Sequence, residues 1–407
     1  MEDFQVDGNE FDASAHRGSN QVSLKAFNER LVINLIQQAG ALSKAEIARV
    51  TKLSAQTVTI IVNRLIEEGY LLKRAARRGK VGQPSTPIEL NPDGAISFGI
   101  KIGRRSVEVL SMSFDRKIIG RLSYTYEYPD PKLVFDSIKK GFEQLRAELT
   151  STQHSRIIGI GVASPSGMEG WEGIVGAPNG ALTDWEGIDI AAKVEGLVRY
   201  KAYWINDATA ACLAEISLST GIQWHSMLYL YLGTFVGGGL VLEGRLFEGR
   251  TGNAAAVGSI PLAMARQRDG IPMQLIEQAS LNQLENAAIS EEISMAEFSN
   301  GKPLSHKAHA CFQKWADNAS NALALSAIVG TAFIEVDNVV IDGGLSRELI
   351  EDVAAKTRTR MRDYNSEGIA LPSIFAGKIG LNARALGGAL LPMRENFAAD
   401  NEMLMKL

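Results

Sequence analysis

The stretch SKAEIARVTKLSAQTVTIIVNRLIEEGY, residues 43–70, decides how the first part of this chain folds. Ser43 and Glu46 form a capping box, in which each side chain bonds a free backbone amide at a helix start, and this predicts a short helix over 44–50. After the tight connection 51–53, Ser54 caps a second helix that Gly69 ends. The apolar side chains of this second helix recur with helical spacing, at Val58, Ile61, Val62, Leu65 and Ile66.

Upstream, an amphipathic helix is predicted from Leu24 to Gly40. Its apolar stripe comprises Leu24, Phe27, Leu31 and Leu35, with Val32 and Ile36 alongside. Two helices joined by a short turn, with the apolar side chains of the second helix confined to one face, are typical of a helix-turn-helix. This motif lays its second helix in the major groove of DNA.

The face of the second helix opposite Val58 and Leu65 is polar except for Ile60. Beside a duplex, an exposed aliphatic group meets a thymine methyl while Gln56 or Asn63 bonds adenine. The alternatives for Ile60 are packing on a neighbouring subunit or simple exposure. The predicted DNA-contacting residues of this segment are Ser54, Gln56, Thr57, Thr59, Ile60, Asn63 and Arg64.

A strand over 70–74, a basic tip and a returning segment over 88–90 predict a wing. Arg77, Arg78 and Lys80 lie at the tip, where cations suit contacts with phosphates. Residues 43–80 contain nine lysines or arginines against three glutamates, in a chain whose net charge is −4. A solvated charged loop is the alternative for such a run, but the adjoining helix-turn-helix favours DNA.

From residue 95 the pattern changes to strands followed by alternating helices and strands, and this order occurs twice. The first set has strands over 95–102, 106–114, 117–126, 156–163 and 202–205, with helices over 131–149 and 207–217. The second has strands over 227–232, 237–242, 245–247 and 339–341, with helices over about 273–288 and 306–330 and from 346 and 380. The repetition predicts two α/β lobes with a cleft between them.

Length and composition limit the possible classes of protein. A chain of 407 residues, 45% apolar and 22% charged, is expected to form two or three folded domains. Its two cysteines, Cys212 and Cys311, indicate neither a disulfide framework nor a cysteine-based zinc site. The first twelve residues carry five acids and no base, unlike a signal peptide, and no apolar run approaches membrane-spanning length. We therefore expect a cytoplasmic protein without a membrane partner.

Several motifs, in this order, resemble the ROK family of repressors and sugar kinases, in particular the branch of xylose-type and N-acetylglucosamine-type repressors. They are 43–70, Gly82-Gln83-Pro84-Ser85, Ala177-Pro178-Asn179, Asn206-Asp207-Ala208 with Ala210, Ala211 and Glu215, Leu232-Gly233-Thr234 with Gly237-Gly238-Gly239, Gly343-Gly344 and Gly387-Gly388. The resemblance implies an α/β fold: an N-terminal winged helix-turn-helix, then a two-lobed actin-like, sugar-kinase-like (ribonuclease H-like) ATPase fold. The expected divisions are a disordered acidic tail 1–20, a DNA-binding domain 21–92, a first lobe 93–205 against which 380–407 packs back, and a second lobe 206–379.

The resemblance also implies that Asn179, Asn206 and Asp207 face a sugar in the cleft. Since Asn206-Asp207 follows a buried strand and opens a helix, the carboxylate is able to cap free amides, stay ionised and accept hydrogen bonds from ligand hydroxyls. In the family's kinases, an aspartate matching Asp207 acts as general base. The alternative is that Asp207 is only a helix cap.

This chain departs from the kinase pattern at two places. Where the kinases resemble Asp-x-Gly-Gly-Thr, it has Lys101-Ile102-Gly103-Arg104-Arg105, which argues against ATP binding because phosphates need backbone amides and a metal-bound carboxylate. Where the family resembles Gly-Glu-x-Gly-His, it has Ala255-Ala256-Val257-Gly258-Ser259, and the cysteine triplet expected near 266–273 is absent. We therefore expect no zinc and no other cofactor. Arg266 or Arg268 is a candidate cation for an anionic ligand.

The sequence thus predicts a ligand-responsive repressor of carbohydrate-uptake or catabolism genes. Its expected partners are a double-stranded DNA operator, a sugar or polyol effector and further copies of itself, as a homodimer or homotetramer. We expect no enzymatic activity, with Asp207 as a vestige of the base. One alternative is a sugar kinase with an added DNA-binding domain, and another is a DNA-binding protein whose body is a ligand-free scaffold.

Overall fold

The computed structural model describes residues 21–75, 86–169, 172–219, 224–263 and 272–399. The first unit, here called the head, contains three helices and a two-stranded antiparallel hairpin. Its elements are α1 (Gln21–Ala39), α2 (Lys44–Thr51), α3 (Ala55–Glu67), β1 (Leu71–Lys73) and β2 (Ile88–Leu90). The predicted tail 1–20 lies outside the described residues.

The head core corrects the predicted face of α1. The helix buries Val32, Ile33 and Ile36 against α2, α3 and β2, whereas Leu24 is 47% exposed. Leu24 is the one exposed member of the predicted stripe, although Ser23 beside it is buried and Glu29 in the first half of α1 pairs with Arg64 of α3. In α3, Val58, Ile61, Val62 and Leu65 are all buried, as their spacing predicts.

The first lobe is a five-stranded sheet with order β5-β4-β3-β6-β7, in which β3 pairs antiparallel with β4 and parallel with β6. Its strands are β3 (Ile96–Ile102), β4 (Ser106–Ser113), β5 (Ile118–Thr125), β6 (Ile157–Ser164) and β7 (Ala202–Asn206). Its helices are α4 (Pro131–Ala147), α5 (Ser151–His154), α6 (Glu172–Val175) and α7 (Ile190–Val198). Helix α7 was not predicted from the sequence.

The second lobe repeats this topology, with sheet order β10-β9-β8-β11-β12. Its strands are β8 (Met227–Leu232), β9 (Val236–Leu242), β10 (Arg245–Phe247), β11 (Asn338–Gly343) and β12 (Ser373–Ala376). Its helices are α8 (Asp207–Leu218), α9 (Ile276–Ala279), α10 (Leu281–Ser290), α11 (His306–Ile334) and α12 (Arg347–Arg360). The predicted duplication of three antiparallel strands followed by parallel ones is therefore confirmed, although β12 was not predicted. The two lobes and the last helix are here called the body.

The single helix predicted over 273–288 is wrong, because two helices meet there at Ser280. The Ser280 hydroxyl accepts a hydrogen bond from the Val236 amide at 2.9 Å, and its carbonyl accepts one from Trp315 Nε1 at 3.2 Å. Ser280 has an extended backbone, with φ −71° and ψ 145°. The extended backbone of Ser280 ends α9, and the two bonds hold the turn between α9 and α10 against β9 and α11.

The last helix, α13 (Ala383–Phe397), packs on β3, β6 and α8. It starts after a 3₁₀ turn over Gly380–Asn382 rather than at Gly380 itself. At Gly387 the approach to α8 is backbone to backbone: a methyl group added there would lie 1.8 Å from the carbonyl oxygen of Ala210. Only glycine permits this separation between the two helices.

The far end of α13 contacts the head. The Phe397 ring lies 5.4 Å from Tyr70 and 4.7 Å from Phe114 between centroids. Arg30 Nη1 of α1 donates to the Ala398 carbonyl at 3.1 Å. Helix α13 thus runs from the cleft to the head, over about 22 Å for its length.

The predicted domain boundaries at 92/93 and 205/206 stay predictions. The position 92/93 lies in the 3₁₀ turn Pro92–Gly94 between β2 and β3, and 205/206 lies at the end of β7. Within the described ranges, no helix is both long enough and apolar enough to cross a bilayer.

Candidate functional site

Helices α2 and α3 begin with the predicted caps. The Ser43 hydroxyl accepts from the Glu46 amide, and the Glu46 carboxylate accepts from the Ser43 amide at 2.8 Å, which completes the capping box. Ser54 Oγ accepts from the Thr57 amide at 3.1 Å. The C-cap residue Lys52 adopts a left-handed conformation, with φ 61°, and turns the chain between the two helices. Local capping therefore fixes the helix-turn-helix.

The outward face of α3 carries Gln56, Thr59, Ile60 and Asn63, all exposed. Ile60 is 60% exposed, although Ile61 beside it is 5% exposed in the core. The Thr59 hydroxyl donates back to the Ala55 carbonyl at 2.8 Å. This face offers an amide, an aliphatic group and a second amide at successive helical turns, which is the chemistry that reads base edges in a major groove.

Five of the seven predicted DNA-contacting residues of this segment also bond within the head, among them Ser54, Thr57 and Arg64. Ser54 and Thr57 are joined by their hydroxyls at 2.8 Å as part of the N-cap. Arg64 is held by two carboxylates, with Nη1 2.7 Å from Glu29 and Nε 2.7 Å from Glu68. The pair with Glu29 ties α3 to α1, and the contact of Arg64 with DNA stays a prediction.

Lys44 is a residue of this face that was not assigned to DNA from the sequence. Its Nζ donates to Asn63 Oδ1 at 2.8 Å. The bond joins the first residue of α2 to the outward face of α3 and orients the Asn63 amide. A lysine and an asparagine 19 residues apart carry no periodic signal, so only the folded chain reveals the pair.

Strands β1 and β2 form the base of the wing, in register from Leu71 opposite Leu90 to Lys73 opposite Ile88. Arg74, the residue after β1, forms an ion pair with Glu89 of β2. The predicted tip residues Arg77, Arg78 and Lys80, with Gly82-Gln83-Pro84-Ser85, lie outside the described residues.

In the cleft, the cap of α8 is Asn206 and not Asp207, which corrects the predicted capping role. Asn206 Oδ1 accepts from the amides of Ala208 and Thr209, at 3.0 and 3.4 Å. Its Nδ2 donates to Ser166 Oγ at 3.3 Å. Asp207 is the first helical residue, so its carboxylate is turned away from the amides that Asn206 already satisfies.

Asp207 is paired with Arg384, at the start of α13. Arg384 Nη1 lies 3.1 Å from Asp207 Oδ2, and the two side chains are 17% and 18% exposed. The guanidinium also lies over the Tyr231 ring of the second lobe, 5.1 Å from its centroid. Burial disfavours the charged guanidinium, but Tyr231 and Asp207 outweigh burial and raise the Arg384 pKa. The Asp207 carboxylate is thus engaged by a cation of the body itself.

Asn179 is exposed in the turn after α6, where the Ala181 amide donates to the Pro178 carbonyl at 3.0 Å. Among the residues that the structure describes, no hydrogen bond joins Asn179 to Asn206 or Asp207. That the three residues face one sugar stays a prediction.

The segment that corresponds to the kinase phosphate loop is filled by ion pairs. Lys101 Nζ lies 3.0 Å from Glu108 Oε1, and Arg121 binds the other oxygen of Glu108. Burial would raise the Glu108 pKa, but Lys101 and Arg121 lower it overall. Burial, and then the charge of Arg384, lower the Lys101 pKa. Arg104 forms an ion pair with Glu285 of α10, which joins the turn after β3 to the second lobe.

The described residues contain no group of three or more histidine, cysteine or acidic side chains that could hold a metal ion. Residues Val257–Ser259 form a 3₁₀ turn, where the family resemblance would place glutamate and histidine. Arg266 and Arg268 lie in 264–271, outside the described residues. The predicted absence of zinc and ATP stays a prediction.

Comparisons with known proteins divide the chain in the same way. The sequence profile of the ROK family matches residues 97–395, and a winged helix-turn-helix DNA-binding profile matches residues 28–71. The protein named Uncharacterized protein y4fQ of Sinorhizobium fredii is 23% identical over 383 residues, 91% of this chain and 92% of its own. The xylose repressor of Caldicellulosiruptor bescii is 26% identical over 245 residues, so this alignment spans 59% of each chain.

Among solved structures, a ROK family transcriptional regulator described as a homolog of the E. coli MLC protein superposes with a TM-score of 0.66 at 17% identity. The superposition covers 94% of this chain and 99% of that one. A likeness of this extent includes both the head and the body, and at this identity it establishes the fold.

Proposed function

This chain belongs to the ROK family, and because a winged helix-turn-helix head precedes its body, we propose that it is a transcriptional repressor whose operator binding is controlled by a small carbohydrate. The observation that carries the proposal is the outward face of α3, where Gln56, Ile60 and Asn63 are exposed opposite a fully buried apolar face. The xylose repressor among its relatives supports repression and a sugar or polyol effector. Genes of carbohydrate uptake or catabolism are then the targets.

Two copies of the chain present two heads to the operator. A symmetric pair fits an inverted repeat with half-sites about one helical turn apart. Effector binding in the body changes the populations of two lobe arrangements and so changes the spacing of the heads. Helix α13 supports this route, since Arg384 at one end binds Asp207 and Phe397 at the other end packs on Tyr70.

A regulator rather than an enzyme is supported by the ion pairs of the cleft. In the kinase alternative, Asp207 takes a proton from a sugar hydroxyl and the turn after β3 holds phosphates. Here Arg384 binds Asp207, and the buried Lys101 forms an ion pair with Glu108.

Three measurements test this proposal: titration calorimetry with ATP, an ADP-release assay over a sugar panel, and metal analysis of the purified protein. Measurable ATP affinity or stoichiometric zinc would contradict it.

Replacing Gln56 by alanine should change which operator sequences bind. A bidentate amide contact discriminates between bases by about 1–3 kcal/mol, roughly five- to 150-fold in affinity. Selection of DNA from a random library by wild-type and variant protein measures the change. Gln283→Ala, an exposed substitution on α10, is the control and should leave the selected sequences unaltered. Identical selected sequences for wild type and Gln56→Ala would refute a reading role for this face.

Replacing both Arg77 and Arg78 by alanine should weaken binding to every duplex alike. Removal of one phosphate contact lowers the slope of log affinity against log salt by about 1, so the double substitution should lower it by about 2. Fluorescence anisotropy at several salt concentrations measures the slope. Arg362→Ala, which removes one exposed positive charge from the second lobe, is the control for loss of charge away from the wing and should leave the slope unchanged. An unchanged slope in the double variant would remove the wing from the interface.

A further inference from the structure

A hydrogen bond between side chains on the surface of the head joins the two helices of the helix-turn-helix. Lys44, the first residue of α2, donates from Nζ to Oδ1 of Asn63 in the third turn of α3, at 2.8 Å. Asn63 is exposed and Lys44 is half-buried. The pair therefore belongs to the surface that the proposed function assigns to DNA.

This bond determines which end of the Asn63 amide is left for a ligand. An ammonium group only donates, so the amide oxygen must face it, and Nδ2 with its two N–H donors is the free end. Exchange of oxygen and nitrogen by rotation of the amide would bring the Nδ2 donors against the ammonium group. Asn63 therefore offers donors to a ligand, with a positive charge beside them.

The charge of Lys44 is not balanced in this bond, because its partner is a neutral amide. Arg64, the residue after Asn63, is by contrast held by the carboxylates of Glu29 and Glu68. Within the ranges that the structure describes, Lys44 forms no ion pair. The cation beside Asn63 thus stays available to an electron-rich group of a ligand.

The purine bases differ in what they present to such a pair. In the major groove, adenine has an N6–H₂ donor beside its N7 acceptor, whereas guanine has an O6 acceptor at that place. The adenine amino group would have to share Asn63 Oδ1 with an ammonium group that repels it. Guanine accepts from Asn63 Nδ2 at N7 and from Lys44 at O6, so both of its acceptors are satisfied.

Gln56, on the same face of α3, lacks such a partner. Among the described residues its side-chain amide makes no hydrogen bond, so its oxygen and its nitrogen both remain for a bidentate contact with adenine. It lies about two helical turns before Asn63. The two amides of this face are therefore expected to read different bases, although their chemistry is the same.

We infer that Lys44 is a specificity-determining residue, which together with Asn63 makes the head read guanine rather than adenine at one base pair of each half-site. The inference rests on the proposed function, because it assumes operator binding. It adds to that function a residue of α2 and the identity of one base.

Selection of duplexes from a random library by the full-length protein tests the inference. Wild type should select guanine at the base pair whose preference Asn63→Ala changes. Lys44→Met should reduce the preference for guanine over adenine at this base pair by about fivefold or more. Lys44→Arg keeps a cationic donor and should retain most of the preference. Lys25→Met, which removes an exposed lysine from α1 of the same head, is the matched control and should select the wild-type sequence.

A second variant keeps the test decisive if Lys44→Met does not fold. Asn63→Asp has a carboxylate without donors, so it should abolish the guanine preference.

Three results would overturn the inference while leaving the proposed function in place. The first is adenine at that base pair in the wild-type selection, and the second is a selected sequence that Asn63→Ala does not change. The third is an unchanged guanine preference in Lys44→Met, and uniformly weaker binding in that case would make Lys44 a phosphate contact. A wild-type protein that selects no sequence would reject the proposed function itself, and this inference with it.

Discussion

Replacing Gly387 by alanine should lower the thermal midpoint of the body by about 6 °C or more, because the change costs at least about 3 kcal/mol. Helix propensity alone would predict a gain of about 1 kcal/mol for this substitution. The added methyl group, however, would lie 1.8 Å from the Ala210 carbonyl oxygen, and a backbone atom has no rotamer by which to move away. Helices α8 and α13 must separate, which disturbs the packing of α13 on β3 and β6. The measurement is the unfolding midpoint by circular dichroism.

The chain offers a matched control for this substitution. Gly196 is an exposed residue of helix α7, and a methyl group added there meets no atom within 4 Å. Gly196→Ala should therefore stabilise the protein by about 0.4–1 kcal/mol, from helix propensity and reduced freedom of the unfolded chain. Equal midpoints for the two variants would show that α8 and α13 are able to move apart without cost.

Replacing Arg384 by methionine should destabilise the body by about 3 kcal/mol. The substitution leaves the Asp207 carboxylate, 18% exposed, without its ion-pair partner, and breaking such buried pairs costs about 3–5 kcal/mol. We expect the lower end because Lys101 is a second cation close enough to interact with Asp207, although burial and the charge of Arg384 lower the Lys101 pKa overall. Urea unfolding followed by circular dichroism measures the change in the free energy of unfolding.

A double-mutant cycle with Asp207→Asn isolates the pair from the loss of packing. Asp207→Asn alone should cost less than Arg384→Met, because the amide oxygen still accepts a hydrogen bond and Tyr231 still lies beneath the guanidinium. The double variant should then be more stable than Arg384→Met alone, since no unpaired charge remains. If the two costs add without coupling, the cation does not act on Asp207 and the support for a non-catalytic cleft weakens.

Features that depend on neighbours along the chain were predictable. The capping box of Ser43 and Glu46, the Ser54 cap and the buried positions Val58, Val62 and Leu65 all follow from spacings of three or four residues. The strands of both lobes also carry a local apolar pattern, and their repetition along the chain revealed the two lobes. At these elements the local signal was sufficient, whereas the local patterns over 24–40 and 273–288 were not, because packing exposes Leu24 and Ser280 divides the second segment into two helices.

The site itself depends on contacts between distant segments, for which a single sequence holds no signal. Arg384 and Asp207 are 177 residues apart, and nothing near Arg384 in the sequence distinguishes it from a surface arginine. Leu24 was assigned to the covered face of α1 for a related reason, since only the packing of the head determines which side chains of that helix are covered, and Val32 and Ile36 are buried as expected. Strand β12, with four residues, is too short for a periodic signal.

The position of α13 along the chain has a consequence for synthesis on the ribosome. Strands β3 and β6 emerge early, yet the helix that covers them, residues 383–397, is translated more than 200 residues later. The aromatic cluster of Tyr70 and Phe114 likewise forms only after Phe397 has been translated. The head is thus able to fold first, from contacts within residues 21–90. The nascent first lobe, in contrast, exposes an apolar surface until α13 has been translated. We expect protection by a chaperone to matter most in this period.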